Sequence, residues 1–321
     1  MGAVPGRKTD MTDAEWICDL VALGLVRPSF VPPPSIRRLR DLTRRRAILL
    51  AERTREKQRM EKLLEDAGVK LSVVATDIFG KSGRAMLDAL IAGERDPKVL
   101  AELAMGRLRK KIPALAEALV GRFDDHHAFL ARMICDHIDT ISRMVAELNK
   151  RIDTEIEPYR TEVELLGSLP GVDTRTAEVI LAEIGTDMSR FPTAAHLVSW
   201  AGLSPVAQQS GKRGKKAKKG KGDAYLKGYC GQAALGAART STFLGERYRR
   251  LARRIGGARA QVAVARSILT IVWHLLADPS ARYADLGPDW HARKVNRDRA
   301  TRNHVEHLKA LGYHVTLTPA A

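Results

Sequence analysis

At Pro170-Gly171 a helix has to stop and the chain has to turn. Leu165, Leu166 and Leu169 close one apolar-periodic segment. Pro170 then offers no N–H, and Gly171 accepts a positive φ. Asp173 reads as the N-cap of a second helix, expected over Thr174–Ile184, whose Ala177, Ile180, Leu181 and Ile184 fall at i, i+3, i+4 and i+7. Gly185 follows the last apolar position, where helices commonly end. Such a pair folds as a helical hairpin. In its helix–hairpin–helix form the motif turns backbone N–H groups and a helix N-terminus toward a nucleic-acid phosphate, with Gly171 and Arg175 as candidate contacts. An ordinary αα-hairpin carries the same pattern.

Downstream the chain becomes intensely basic. Seven of the ten residues from Lys212 to Lys221 are Lys or Arg, and no acid appears before Asp223. This run lies between two folded-looking segments, and its glycines allow close approach to a ligand. It is expected to be a loop that holds a phosphate backbone through Lys212, Arg213, Lys215, Lys216, Lys218, Lys219 and Lys221. Ser210 stands at its mouth, beside Gly211. A serine there can serve as a nucleophile on a phosphate whose charge the lysines screen; a serine before a glycine is also a common turn residue.

The formal net charge of +17 points to an anionic partner, nucleic acid before membrane. No run of about 18 apolar residues signals a span, and the basic helices lack the aromatic apolar face of a membrane-surface helix. The three cysteines are scattered without disulfide or metal spacing, which fits a reducing cytoplasm. Asp124 to His127 reads as a helix cap more readily than as a metal site. Asp10 and Asp13, three apart at a helix start, share one face; two carboxylates so placed can hold a divalent cation, or simply favour the helix dipole.

Two long helices are expected over Ser35–Ala67 and His126–Glu157. The second has a heptad seam of Ile134, Ile138, Ile141, Val145, Leu148 and Ile152, which calls for antiparallel pairing with the first helix, self-association, or both. The segment between them reads as a compact helical unit. Later segments read as a small-residue helix from Ala224 to Thr240, a basic helix from Phe243 to Ile255, an apolar helix from Ala260 to Leu276, and a strand over Tyr313–Leu317.

The stretches GRKTDMTDAEW, LVRPSF, LPGVDTRTAEVILAEIG and FPTAAHLVSWAGLSP, followed by the serine and its basic loop, occur in an order that resembles the DEDD-type insertion-sequence transposases. The likeness runs from Pro5 to about Trp290. It implies a RuvC-like, ribonuclease-H-like domain whose acidic quartet binds Mg²⁺, and a separate domain whose serine links covalently to DNA. It also implies a structured guide RNA in at least some members. Residue by residue, Asp10 and Asp13 match the last two acids of the quartet and Ser210 matches the serine. The first Asp and the Glu belong to strands that would precede Asp10. The resemblance therefore leads us to expect a truncated copy or a displaced start, with the apolar face of helix Glu15–Leu25 left uncovered.

The expected architecture is mainly α. Residues 1–34 would be the tail end of the α/β nuclease domain, 35–157 a coiled-coil arm region, 158–290 a transposase domain containing the helical hairpin and basic loop, and 291–321 a basic tail. The function implied is DNA transposition at the nucleoid by a protein that self-associates through its arms. The competing reading is a nucleic-acid-binding remnant without chemistry.

Overall fold

The computed structural model describes residues 9–25, 30–206, 209–210, 213–214, 218–219, 222–293 and 297–317. The chain is mainly helical. In order come α1 (Asp10–Ala22), α2 (Pro34–Asp66), α3 (Leu71–Val74), α4 (Lys81–Ala92), α5 (Pro97–Glu102), α6 (Ile112–Ala118), α7 (Asp125–Glu155), α8 (Arg160–Gly167), α9 (Thr174–Ile184) and α10 (Ala194–Trp200). Four two-residue strands follow: β1 (Pro205–Val206), β2 (Gln209–Ser210), β3 (Arg213–Gly214) and β4 (Lys218–Lys219). Then come α11 (Ala224–Ala238), α12 (Phe243–Ile255), α13 (Gly257–Ala277), α14 (Trp290–Arg293) and α15 (Arg297–Ala310).

Helices α2 and α7 run antiparallel along their whole length. Arg38 meets Glu155 at 3.8 Å, Arg46 donates to Asn149 at 2.6 Å, Arg53 donates to Ser142 at 3.4 Å, and Glu56 meets His137 at 3.3 Å. Partner numbers rise on one helix as they fall on the other. The seam residues Ile138, Ile141, Val145 and Ile152 are buried in this pairing, with Leu49 of α2 against Ile141 and Val145. Asp124 caps α7, accepting from the His127 N–H at 3.1 Å.

Each end of the pair opens into a larger core. At one end Met60 and Leu64 of α2 and Ala131 and Cys135 of α7 pack with Leu71, Met86, Leu87, Leu90, Leu100 and Leu115 of α3 to α6. At the other, Leu39 and Ile152 join the core built by α8 to α13. Helix α13 is long and apolar enough to cross a membrane by length and composition. Its Ala260, Val264, Ala265, Ile268, Leu269, Val272 and Leu275 are buried against its neighbours, which accounts for that composition.

Helix α9 is the centre of this second core, buried without a break from Thr176 to Ile184. Asp173 caps it as the spacing predicts, accepting from the Thr176 N–H at 2.7 Å. Its Glu183 is fully buried and held in place by α2. Arg44 reaches both carboxylate oxygens at 2.7 Å, and Arg40 Nε lies 3.1 Å from Oε2 while its guanidinium also donates to the Glu183 carbonyl at 2.5 Å. The small-residue helix α11 presses on the turn before α9. Gly171 has φ +85°, and a Cβ there would overlap Ala233 O and Ala237 N.

Three expectations change. The first helix begins at Asp10, five residues before Glu15, because Thr9 takes the N-cap and accepts from the Thr12 N–H at 3.3 Å. Residues 313–317 form no strand, since no neighbouring strand among the described residues pairs with them. The basic segment expected to be a loop carries paired strands. Helix α1 buries none of its residues; Ile17 and Val21 on it and Leu23 at its C-cap are exposed.

Two substitutions test this core. Glu183→Ala leaves two desolvated guanidinium groups short of a counter-charge and should lower the unfolding free energy by about 3–5 kcal/mol in denaturant titration. Gly171→Ala combines a left-handed backbone with a clash into α11 and should cost about 3 kcal/mol in the same assay.

Candidate nucleic-acid site

The basic segment is a narrow antiparallel ribbon. The first rung pairs Pro205 with Lys219 and Val206 with Lys218; the second, farther along the chain from the flanking helices, pairs Gln209 with Gly214 and Ser210 with Arg213. Ser210 thus lies at the far rung, separated from its partner Arg213 by Gly211 and Lys212 alone in sequence. Of the expected phosphate contacts, Arg213, Lys218 and Lys219 are placed in the strands. Lys212, Lys215, Lys216 and Lys221 lie outside the described residues.

The ribbon rises from a rigid base. On entry, α10 is capped by Thr193 and ends in Ala201-Gly202, with Gly202 at φ +72°. On exit, Gly222 at φ +36° passes so close that a Cβ there would overlap Ala201 and Gly202 backbone atoms. Asp223 follows and does two jobs. It caps α11, accepting from the Leu226 N–H at 2.7 Å, and it accepts from Arg44 at 2.8 Å. Arg44 also lies over the Tyr225 ring at 4.9 Å. Arg44 therefore ties α9, the ribbon's exit and α2 together through Glu183 and Asp223. Burial pushes the Glu183 carboxyl above the usual carboxylate range against the pull of Arg44, while the hydrogen bond to Glu183 holds the Arg44 guanidinium above its ordinary value. Sequence reading missed this network; its trace is Arg40 and Arg44, one helical turn apart on α2.

The other candidates are placed as follows. Asp10 and Asp13 both lie in the first turn of α1, Asp10 exposed and Asp13 half-buried. Among the described residues no group of three or more His, Cys, Asp or Glu side chains is arranged to hold a metal. Gly171 is occupied by its contact with α11. Arg175 is held by Asp153 at 2.8 Å and by Glu178 at 2.8 Å, so burial and ion pairing account for both residues inside the fold.

The sequence is similar to transposases in two places. A DEDD-type IS110 transposase model matches residues 2–68, and the model of the transposase IS116/IS110/IS902 family matches residues 163–249, the helical hairpin through α12. The 42 kDa protein of insertion element IS900 from Mycobacterium paratuberculosis is 28% identical over 84% of this chain and 72% of its own length. The 44.8 kDa protein of insertion element IS116 from Streptomyces clavuligerus is 29% identical over 66% of this chain, and the match spans 56% of that relative. The 43.6 kDa protein of IS110 from Streptomyces coelicolor is 55% identical over 47 residues, 15% of this chain and 11% of that protein. With the two models matching in the expected order, the second of them across the serine ribbon, the matches support an IS110-family transposase.

Proposed function

We propose that this chain exchanges DNA strands by transesterification, with Ser210 as the nucleophile. The Oγ of Ser210 forms a bond to a DNA phosphorus, the bond from that phosphorus to a deoxyribose oxygen breaks, and the serine proton ends on the departing hydroxyl. Attack by a second DNA hydroxyl on the phosphoserine reverses the step and restores the serine, so no external energy source is needed. The observation that carries this reading is the anchoring of the ribbon. A serine beside a run of seven basic residues is mounted on a base fixed by Asp223, Gly222 and Arg44. Cations beside the phosphate stabilise the charge that builds on its oxygens in the transition state.

Asp10 and Asp13 are the Mg²⁺ ligands this chain would contribute by family likeness. The described residues do not complete such a site: two carboxylates on one helical turn fall short of the quartet, and no third donor stands with them. A structured guide RNA, cytoplasmic action at the nucleoid and self-association through the arms belong to the same proposal. Because Ile138, Ile141, Val145 and Ile152 are consumed by the pairing with α2, a second copy would use other faces of α7, where Phe129 and Met133 are exposed.

The competing reading is a nucleic-acid-binding protein without chemistry, and one substitution separates them. Ser210→Ala should abolish strand exchange on a plasmid carrying the DNA that flanks this reading frame, while duplex binding stays within about 2-fold, because a neutral hydroxyl adds nothing to counterion release. Undiminished exchange by the variant would remove Ser210 from the chemistry. Replacing Lys215, Lys216, Lys218 and Lys219 together by Gln should weaken duplex binding and lower the slope of log affinity against log salt by up to about 3.6, at about 0.9 for each phosphate that is no longer neutralised.

A further inference from the structure

Helix α12 carries five arginines, and its surroundings sort four of them into two sets. Glu246 takes Arg249 at 3.1 Å and Arg253 at 3.8 Å, and Arg249 also donates to the carbonyls of Ala238 and Thr240. Arg247 and Arg250 belong to the other set. They are three residues apart, so they are neighbours on the helix surface. Arg266 of α13 lies close enough to act on Arg247 electrostatically. Among the described residues no carboxylate lies within ion-pair distance of Arg247, Arg250 or Arg266. His291 of α14 closes the group: its ring stacks on Phe243 at 4.9 Å, and Arg250 and Arg247 both act on it.

Two buried side-chain polar atoms among the described residues have no hydrogen-bond partner, and both are here: Arg247 Nε and His291 Nε2. Burial, followed by the neighbouring arginines, holds the Arg247 guanidinium below its ordinary range; burial first and then Arg250 and Arg247 do the same to the His291 imidazole. A fold that gathers like charges and leaves two buried nitrogens without partners is strained as it stands. An anion relieves both faults at once. Arg250 and Arg266 are exposed, so the group is open to a long polyanion crossing the surface.

We propose that Arg247, Arg250, Arg266 and His291 form a second phosphate seat, separate from the serine ribbon, that holds a nucleic-acid phosphodiester. The phosphodiester's two non-bridging oxygens accept from the arginines, and His291 Nε2 donates as the N–H tautomer. This rests on the nucleic-acid reading above and adds a contact site to it. The phosphate can belong to DNA or to a structured RNA, whose backbones present the same group.

The test is a salt titration of binding by the full-length chain, run against a mixed-sequence DNA duplex and against a stem-loop RNA. The variant is Arg247→Gln/Arg250→Gln/Arg266→Gln. The expected result is at least a 10-fold loss of affinity near 0.1 M salt and a fall of about 0.9 in the log–log salt slope, the share of one phosphate, in whichever arm supplies it. Thermal melting should be unchanged or raised, because crowded like charges have been removed. If the triple variant does not fold, Arg250→Gln/Arg266→Gln, which touches exposed side chains only, should lose about half of that slope. An unchanged slope in both arms, with the four-lysine ribbon variant still impaired, overturns the seat and leaves the transposase reading standing. A melting point that falls while the slope holds marks a packing role and also overturns it. Failure of the unmodified chain to bind either probe defeats both proposals.

Discussion

The buried Glu183 carboxylate is the fixed point of the structure. Taking a carboxylate out of water is expensive, and the cost is tolerable only where cations and donors surround it. Here the cations come from α2, far earlier in the chain, with Arg44 separated from Glu183 by 139 residues. The pair therefore sets the angle at which the long helix enters the second core. Since Arg44 also holds Asp223, the same guanidinium fixes where the basic ribbon leaves the fold. Arm and ribbon share one anchor, so a displacement of α2 is transmitted to the ribbon's base without crossing a flexible joint.

Helix α11 does for shape what Glu183 does for charge. Its Ala233 and Ala237 let the backbone of the Pro170-Gly171 turn approach within the radius of a methyl group, and Gly236 does the same from the other side, since a Cβ there would sit 3.1 Å from Gly171 Cα. A hairpin that could have offered its turn to a ligand is instead locked against a neighbouring helix. The exposed remnant of its N-terminus is Asp173 and Thr174, an acid and a hydroxyl. That environment is less inviting to phosphate than the ribbon, and it explains why the basic charge of this half of the molecule is carried elsewhere.

How far the sequence revealed this depends on whether the cause is local. The cap at Asp173, the stop at Gly185, the cap at Asp124 and the four-three step of the α7 seam are local, and the helices follow from them. The role of Gly171 is not local: its turn chemistry is visible, but its contact with Ala233 and Ala237 comes from a helix far along the chain and shows only as a run of small residues in α11. Arg40 and Arg44 are hidden among the many basic residues of α2, where nothing in the pattern distinguishes a buried cation from a solvated one. The ribbon was unreadable for a different reason. Lys and Gly have weak strand preference and no alternation, so the pairing of Ser210 with Arg213 arises from the close approach of the two ends at Gly202 and Gly222. Conversely, Tyr313–Leu317 has the composition of a strand but no partner among the described residues, and composition alone does not make one.

The distribution of acids decides where a chain of net charge +17 can hold an anion. Several arginines of the arm and of the second core are matched: Arg44 with Glu183 and Asp223, Arg175 with Asp153 and Glu178, Arg84 with Asp88 and Asp139, Arg249 with Glu246. Each such match commits a carboxylate to architecture and removes a cation from the surface field. Two stretches are locally short of acids: the ribbon, where the sequence supplies none between Ser210 and Asp223, and α12 with α13, where the one acid of α12 is already committed to Arg249 and Arg253. On the proposed reading, binding surface is the remainder of this core chemistry: a carboxylate spent on Arg44, Arg175, Arg84 or Arg249 serves the fold, and where the chain has none to spare a phosphate is the proposed counter-charge.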